Sequence, residues 1–331
     1  MNNKKPLKVI IYYGYPIAVN NCWNIEEAAQ YFSYFDLIVF GDMIATPSHA
    51  EYENTREIID KIYELKPSAL IFGYIDIGVR TSNHSIERLR ELVDVWSNMK
   101  VKGVLLDNAG YIDQTPRARL NDIIDEIHKK GLKVMVNAWY PDEVLSDEIN
   151  PIYNPNCEKT KLGRDDFYLS ESFVVNTVAF AERDGFQPNE DIIIKSEKLV
   201  KYRIAKGIKI VGVGIAEFKK LIDIELERYF RFVESLALIY SFDGYGLCDY
   251  KYSVESTQIK FFKYTVAPLS FMVDNPLGMI KVSKEQTAWV RENYELKVYV
   301  IIDTNKKRYS YTQTFKKQFI SQQKRNIIPR K

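Results

Sequence analysis

Residues 101–113 read VKGVLLDNAGYID. The unbroken apolar run at 103–106 has the character of a strand covered on both faces. It stops at a carboxylate, Asp107, followed by Asn108, Ala109 and Gly110. A charge there stands where the strand leaves the core, so the rest of the chain decides whether it caps a turn or faces a site. Seven other segments share this build: KVIIYYGY (8–15), LIVFGD (37–42), ALIFGYIDI (69–77), KVMVNAW (133–139), DFYLSESFVV (166–175), IKIVGVGIAE (208–217) and DGYGLCD (243–249). All are short, rich in β-branched and aromatic residues, and mostly not alternating, as expected of buried parallel strands.

Helical periodicity fills the intervals. Ser48 and Glu51 have capping-box spacing ahead of Ile58, Ile59, Ile62 and Leu65. Ile86, Leu89, Leu92, Val93 and Trp96 form the next apolar stripe. Thr115 and Pro116 read as a cap and a first-turn proline before Leu120, Ile123, Ile124 and Ile127, and that helix is expected to stop at Gly131. A later stripe runs through Leu226, Phe230, Val233 and Ala237.

Strand–helix alternation repeated eight times over about 250 residues predicts an α/β fold, a (β/α)8 TIM barrel. The competing open doubly wound sheet lacks its phosphate cradle, because the first strand–helix turn, YYGYPIAVNNCWN, contains no G-x-G-x-x-G. Residues 1–270 are assigned to the barrel. Residues 271–331 read as a small C-terminal extension with one more strand and a basic tail.

Of the 331 residues 46% are hydrophobic and 27% charged, which is enough apolar material for such a core. The last 28 residues hold nine Lys or Arg and no acid, so the first 303 carry −7 although the whole chain carries +2. That acidic body gives no footprint for nucleic acid, while the tail is suited to an acidic partner or to solvent. Cys22, Cys157 and Cys248 are far apart and odd in number, which implies neither a disulfide framework nor a zinc knuckle. His49, His84 and His128 have no ligand spacing. The basic start MNNKKP precedes too short an apolar run for a secretory signal, and no segment approaches the roughly 20 apolar residues of a membrane span. The compartment is left open.

Barrel enzymes place their chemistry on the C-terminal strand ends. There the strands deliver Tyr13 and Tyr15; Asp42; Tyr74 and Asp76; Asp107 and Asn108; Asn137 and Trp139; Glu171; Glu217; and Asp249. Acids sharing one rim raise each other's proton affinity. Paired carboxyls are what glycosidic cleavage needs, one protonating the leaving oxygen and the other attacking or activating water. The aromatic residues would stack on sugar faces. Asp42 and Asp249 also fit as turn caps, and Glu217 as a helix-start acid. Asp107 and Glu171 interrupt apolar strands, where burial is costly without a partner or a purpose.

The order VIIYYGYP, FDLIVFGD, LIFGYIDIG, VKGVLLDNAG, DFYLSESF resembles barrel glycosidases related to endo-polygalactosaminidases and spherulin-4, over roughly residues 8–250. The resemblance implies a catalytic pair Asp107 and Glu171, with Tyr13, Tyr74 and Asn137 lining the sugar site. It also implies a galactosamine-containing polysaccharide substrate, endo action, and no metal or other cofactor. Relatives of this kind are usually secreted. Asn108 stands where spherulin-like chains often have Glu, and Asp76-Ile77-Gly78 replaces a Gly-Glu pattern near the third strand.

On this reading Glu171 is the proton donor and Asp107 the nucleophile or base, with the two roles interchangeable. Two alternatives stand beside it. One is an inactive glycan-binding or structural barrel of a surface layer, virion or envelope. The other is a carboxylate ring holding a hard cation.

Overall fold

The computed structural model describes residues 5–41, 43–174, 192–267, 271, 279–282, 286–293, 295–303 and 308–316. All eight expected strands are present and close into one parallel barrel in chain order. They are β1 (Leu7–Tyr12), β2 (Leu37–Phe40), β3 (Leu70–Asp76), β4 (Gly103–Asp107), β5 (Lys133–Asn137), β6 (Phe167–Glu171), β7 (Lys209–Ala216) and β8 (Gly244–Asp249).

Strand alternation sorts the side chains into an inner and an outer set. Phe72 on β3 meets Phe167 on β6 edge-on at 5.6 Å, and since those strands are not neighbours the contact crosses the barrel interior. Tyr74 and Asp76 share that inner register on β3, and Glu171 shares it with Phe167 on β6. A Cβ on Gly103 would meet the Phe72 ring, so β4 points inward at 103, 105 and 107. On the outer face Trp96 packs over Gly73, and Val233 over Gly214.

The helices are α1 (Ile25–Ser33), α2 (Tyr52–Leu65), α3 (Ile86–Asn98), α4 (Arg117–Lys129), a single turn α5 (Asp142–Leu145), α6 (Ile192–Lys206) and α7 (Asp223–Ile239). The apolar stripes read from sequence are the buried faces of α2, α3, α4 and α7, with Leu65 exposed at the end of α2. Gly131 ends α4 at φ +71°, a conformation that favours glycine, with its N–H on the His128 carbonyl.

Both expected caps are corrected. Tight turns over 43–51 delay α2 to Tyr52, and the Glu51 N–H donates to His49 Nδ1, so Ser48 and Glu51 form no capping box. Pro116 itself is the N-cap of α4, because the Thr115 hydroxyl is drawn away to the Asn108 carbonyl (2.8 Å).

After β8, residues 258–267 run without regular structure between α7 and α1. Phe262 stacks on Phe230 of α7 at 4.4 Å, and Phe261 contacts Tyr31 and Tyr34 around the end of α1. The extension is expected to add one strand; its described residues form four. An antiparallel sheet in the order β12-β11-β10-β9 is built from β9 (Met279–Val282), β10 (Gln286–Glu292), β11 (Leu296–Asp303) and β12 (Arg308–Phe315). Its inner face buries Leu296, Val298, Val300 and Ile302. The sheet is held to α7 by polar groups as well. Arg291 Nη1 donates to the Leu238 and Ile239 carbonyls at the helix end (3.1 and 3.0 Å), and the Leu238 carbonyl also accepts from the Ser241 N–H. Buried Glu234 accepts hydrogen bonds from Tyr245, Thr265 and Gln313 and pairs with Arg231. The basic end, 317–331, lies outside the described residues.

Candidate active site

The inner register of the strands leads to one opening at their C-terminal ends. Tyr13 follows β1 into this mouth, and Gly41 after β2 leaves it room, since a Cβ there would lie 2.1 Å from the Tyr13 ring. β3 contributes Tyr74, β4 Asp107, β5 Asn137 and β6 Glu171. Tyr74 and Asp107 belong to strands paired side by side, and the Tyr74 hydroxyl donates to Asp107 Oδ2 at 3.0 Å. Glu171 is held on both oxygens. Asn137 Nδ2 donates to Oε2 at 2.7 Å, and the Tyr252 hydroxyl donates to Oε1 at 2.5 Å.

Tyr13 sits between the two donor tyrosines, its ring 5.1 Å from Tyr74 and 4.9 Å from Tyr252. Three tyrosines thus form an arc from one carboxyl to the other. Burial among these rings raises Asp107 from an ordinary carboxylate value to about 7. The charge of Glu171 adds to that effect, while the hydrogen bond from Tyr74 opposes it. The Tyr13 and Tyr252 hydroxyls are pushed well above their usual range, chiefly by burial, and stay protonated donors. Cys248 on β8 is buried near Glu171, and burial pushes its thiol up to about 12, so it adds no charge.

Tyr252 was missed by the sequence reading, which looked for site residues at strand ends and not in the turn that follows. Lys251, Tyr252 and Ser253 have φ of 50°, 50° and 68°. Consecutive left-handed residues with side chains cost about 1–2 kcal/mol each. The turn is tied to β1 by the Tyr13 N–H on the Tyr252 carbonyl (2.8 Å). Asn108 and Ser172, the residues after the two acids, are also left-handed, which turns the chain sharply away from each carboxyl.

The other expected site residues divide. Tyr15 and Trp139 stand exposed on the rim, Tyr15 edge-on to His49. Asn108, directly after Asp107, donates to the Thr81 hydroxyl (3.4 Å). Among the described residues, three of the expected carboxylates are held by partners of their own. Asp76 Oδ1 accepts from the Gly78 N–H and the Thr81 hydroxyl and closes the loop after β3. Asp249 is buried facing away from the mouth, accepting from the Phe218 N–H and the Ser256 hydroxyl. Glu217 pairs with Lys220 at 3.0 Å. Asp42 lies outside the described residues. Among the described residues no three His, Cys, Asp or Glu side chains group as ligands for a cation, and no helix is long and apolar enough to cross a membrane.

Beside the mouth a recess of about 190 Å³ lies between β3, α3 and the loop after β2. Leu92, Val95 and Trp96 contribute its apolar lining, and Thr46, Asp76 and His84 its polar groups. The buried Thr46 hydroxyl has no hydrogen-bond partner among the described residues.

No family model matches the chain, and no curated protein matches it significantly. Solved structures with similar architecture include a GH5 family lichenase from Caldicellulosiruptor sp. F32, at 11% identity and TM-score 0.45, covering 73% of this chain and 83% of that one. They also include an N-acetylneuraminate lyase from Mycoplasma synoviae, at 12% identity and TM-score 0.38, covering 76% and 71%. An HpcH/HpaI aldolase from Desulfitobacterium hafniense DCB-2 aligns at 7% identity and TM-score 0.40, covering 76% and 90%. These likenesses concern the barrel and leave its chemistry to the site itself.

Proposed function

We propose that the chain is a glycoside hydrolase that cleaves with Asp107 and Glu171. The observation that carries this reading is the unlike setting of two carboxyls at one mouth. Asp107 is half-buried beside tyrosine rings and raised to about 7, whereas both oxygens of Glu171 accept hydrogen bonds. Two carboxyls at one mouth, one of them raised toward neutrality, are the arrangement that acid–base cleavage requires. This favours the reverse of the first assignment: Asp107 protonates the leaving oxygen, and Glu171, held by hydrogen bonds at both oxygens, attacks the anomeric carbon or activates water.

Substrate identity rests on the resemblance to endo-polygalactosaminidases and spherulin-4, and on charge. The first 303 residues carry −7, which draws a cationic amino-sugar polymer to the mouth. Tyr15 and Trp139 on the rim would stack on sugar faces. The recess beside Asp76 would take a substituent of the chain, with the unpartnered Thr46 hydroxyl supplying a hydrogen bond.

The test is release of reducing ends from a galactosamine polymer by the wild type and by Asp107→Asn and Glu171→Gln. Loss of at least about a thousandfold in each is expected, and full activity in either variant removes that residue from the mechanism. Binding of the polymer with no release by the wild type would turn the reading to a glycan-binding barrel.

A further inference from the structure

We infer that Tyr252 is a positioning residue of the cleavage, its hydroxyl fixing the plane of the Glu171 carboxyl from the side opposite Asn137. The inference rests on the proposed role of Glu171. Asn137 comes from β5, the neighbour of β6 in the barrel, and Tyr252 from the turn beyond β8. The two donors therefore reach different oxygens of one carboxylate from separate parts of the rim. A carboxylate fixed at one oxygen still swings about its last side-chain bond; fixed at both, it presents one edge.

The turn that carries Tyr252 is built for placement. Three left-handed residues in succession, the main-chain bond to Tyr13 and the ring contact with Tyr13 leave the hydroxyl little freedom. The Ser253 hydroxyl closes the far side of the turn on the Gln258 carbonyl. Strain kept in a turn that delivers one hydroxyl to one carboxylate is how sites hold a reacting group in place before reaction.

Tyr252→Phe tests this, because it keeps the ring against Tyr13 and removes only the donor. Two probes are used: a galactosamine polymer, and the 2,4-dinitrophenyl glycoside of a galactosamine oligosaccharide, whose leaving group needs no proton. Tyr252→Phe is expected to lower kcat about 100-fold on both probes. KM should stay within about twofold and Tm within about 2 °C. Asp107→Asn should lose activity on the polymer and recover most of it on the activated glycoside.

Wild-type kcat in Tyr252→Phe overturns the inference. So does a loss that disappears on the activated glycoside, which would place the effect on Asp107, or one that follows a large fall in Tm. The underlying reading fails separately, if Glu171→Gln keeps its activity on both probes. A dead Glu171→Gln beside a fully active Tyr252→Phe removes only Tyr252.

Discussion

Replacing Asp107 by Asn should stabilise the fold, and do so more as pH rises. The Asp107 carboxyl ordinarily titrates at 3.8 and here at about 7. Because the folded value is the higher one, the folded state binds this proton more tightly than the unfolded chain. Stability is then lost as pH climbs from the unfolded to the folded value, and the cost is constant above that. Three units of difference correspond to about 4 kcal/mol at pH 8, and only about 1.5 kcal/mol has accumulated by pH 5. Asparagine carries no such cost and keeps an oxygen for the Tyr74 hydroxyl. The advantage of Asp107→Asn over the wild type, from urea midpoints at constant slope, should therefore grow by about 2–3 kcal/mol between pH 5 and pH 8. Glu171→Gln as background should shrink that growth, since the Glu171 charge is the second cause of the shift. An advantage equal at both pH values, or a variant less stable than the wild type at pH 8, would refute the account of Asp107.

The same group sets the activity profile: kcat/KM should fall above about pH 7 as the proton donor ionises, and a profile still level at pH 9 would exclude Asp107 from that role. Thr46→Val and His84→Ala should raise KM for the polymer several-fold with kcat unchanged, measured by initial rates; unaltered KM would show the recess takes no substrate. Glu234→Ala leaves Arg231 without its buried partner and should cost about 3–5 kcal/mol in urea unfolding, whereas a loss below about 1 kcal/mol would mean the network does not hold the sheet to α7. His128 is raised by its hydrogen bond to Asp166, so its contribution is present below pH 6.5 and is lost as pH rises through the folded value. His128→Ala should then destabilise more at pH 5.5 than at pH 9, and the opposite order would contradict the pairing.

The barrel was legible because parallel strands are covered on both faces, so each of the eight appears as a compact apolar run whatever its neighbours do. Asp107 and Glu171 were legible for the same reason, as charges ending such runs. A strand-end position alone does not say whether an acid faces the mouth, so the cap and site readings of Asp249 and Glu217 stood side by side. Strand alternation decides this, and a one-residue difference sends Asp249 outward to the Phe218 N–H while Cys248 points in. Asp76 does have the inner register, but its oxygen is taken by the loop it closes. Tyr252 had no signal, because DYKYS carries no glycine to announce a left-handed turn. The C-terminal strands were under-read because, as on β11, buried residues alternate with part-exposed ones and give no continuous apolar run.

The acids of this fold separate by the partners they keep. Glu234 is buried against Arg231, Asp166 against His128 and Asp243 against Arg203. Each of these carboxylates braces secondary structure and keeps an arginine or histidine nitrogen within 4.0 Å. Among the described residues neither Asp107 nor Glu171 lies within 4.0 Å of a Lys, Arg or His nitrogen, and the donors at their oxygens are tyrosine hydroxyls and an asparagine amide. A guanidinium at the mouth would hold both carboxyls ionised and pull Asp107 back down, leaving two anions and no proton donor. Neutral donors orient the carboxylates without supplying that charge, so burial, with the Glu171 charge adding to it, keeps Asp107 raised to about 7. A half-buried pair of acids with no counter-cation among the described residues costs stability, which sets it apart from the carboxylates that brace the fold.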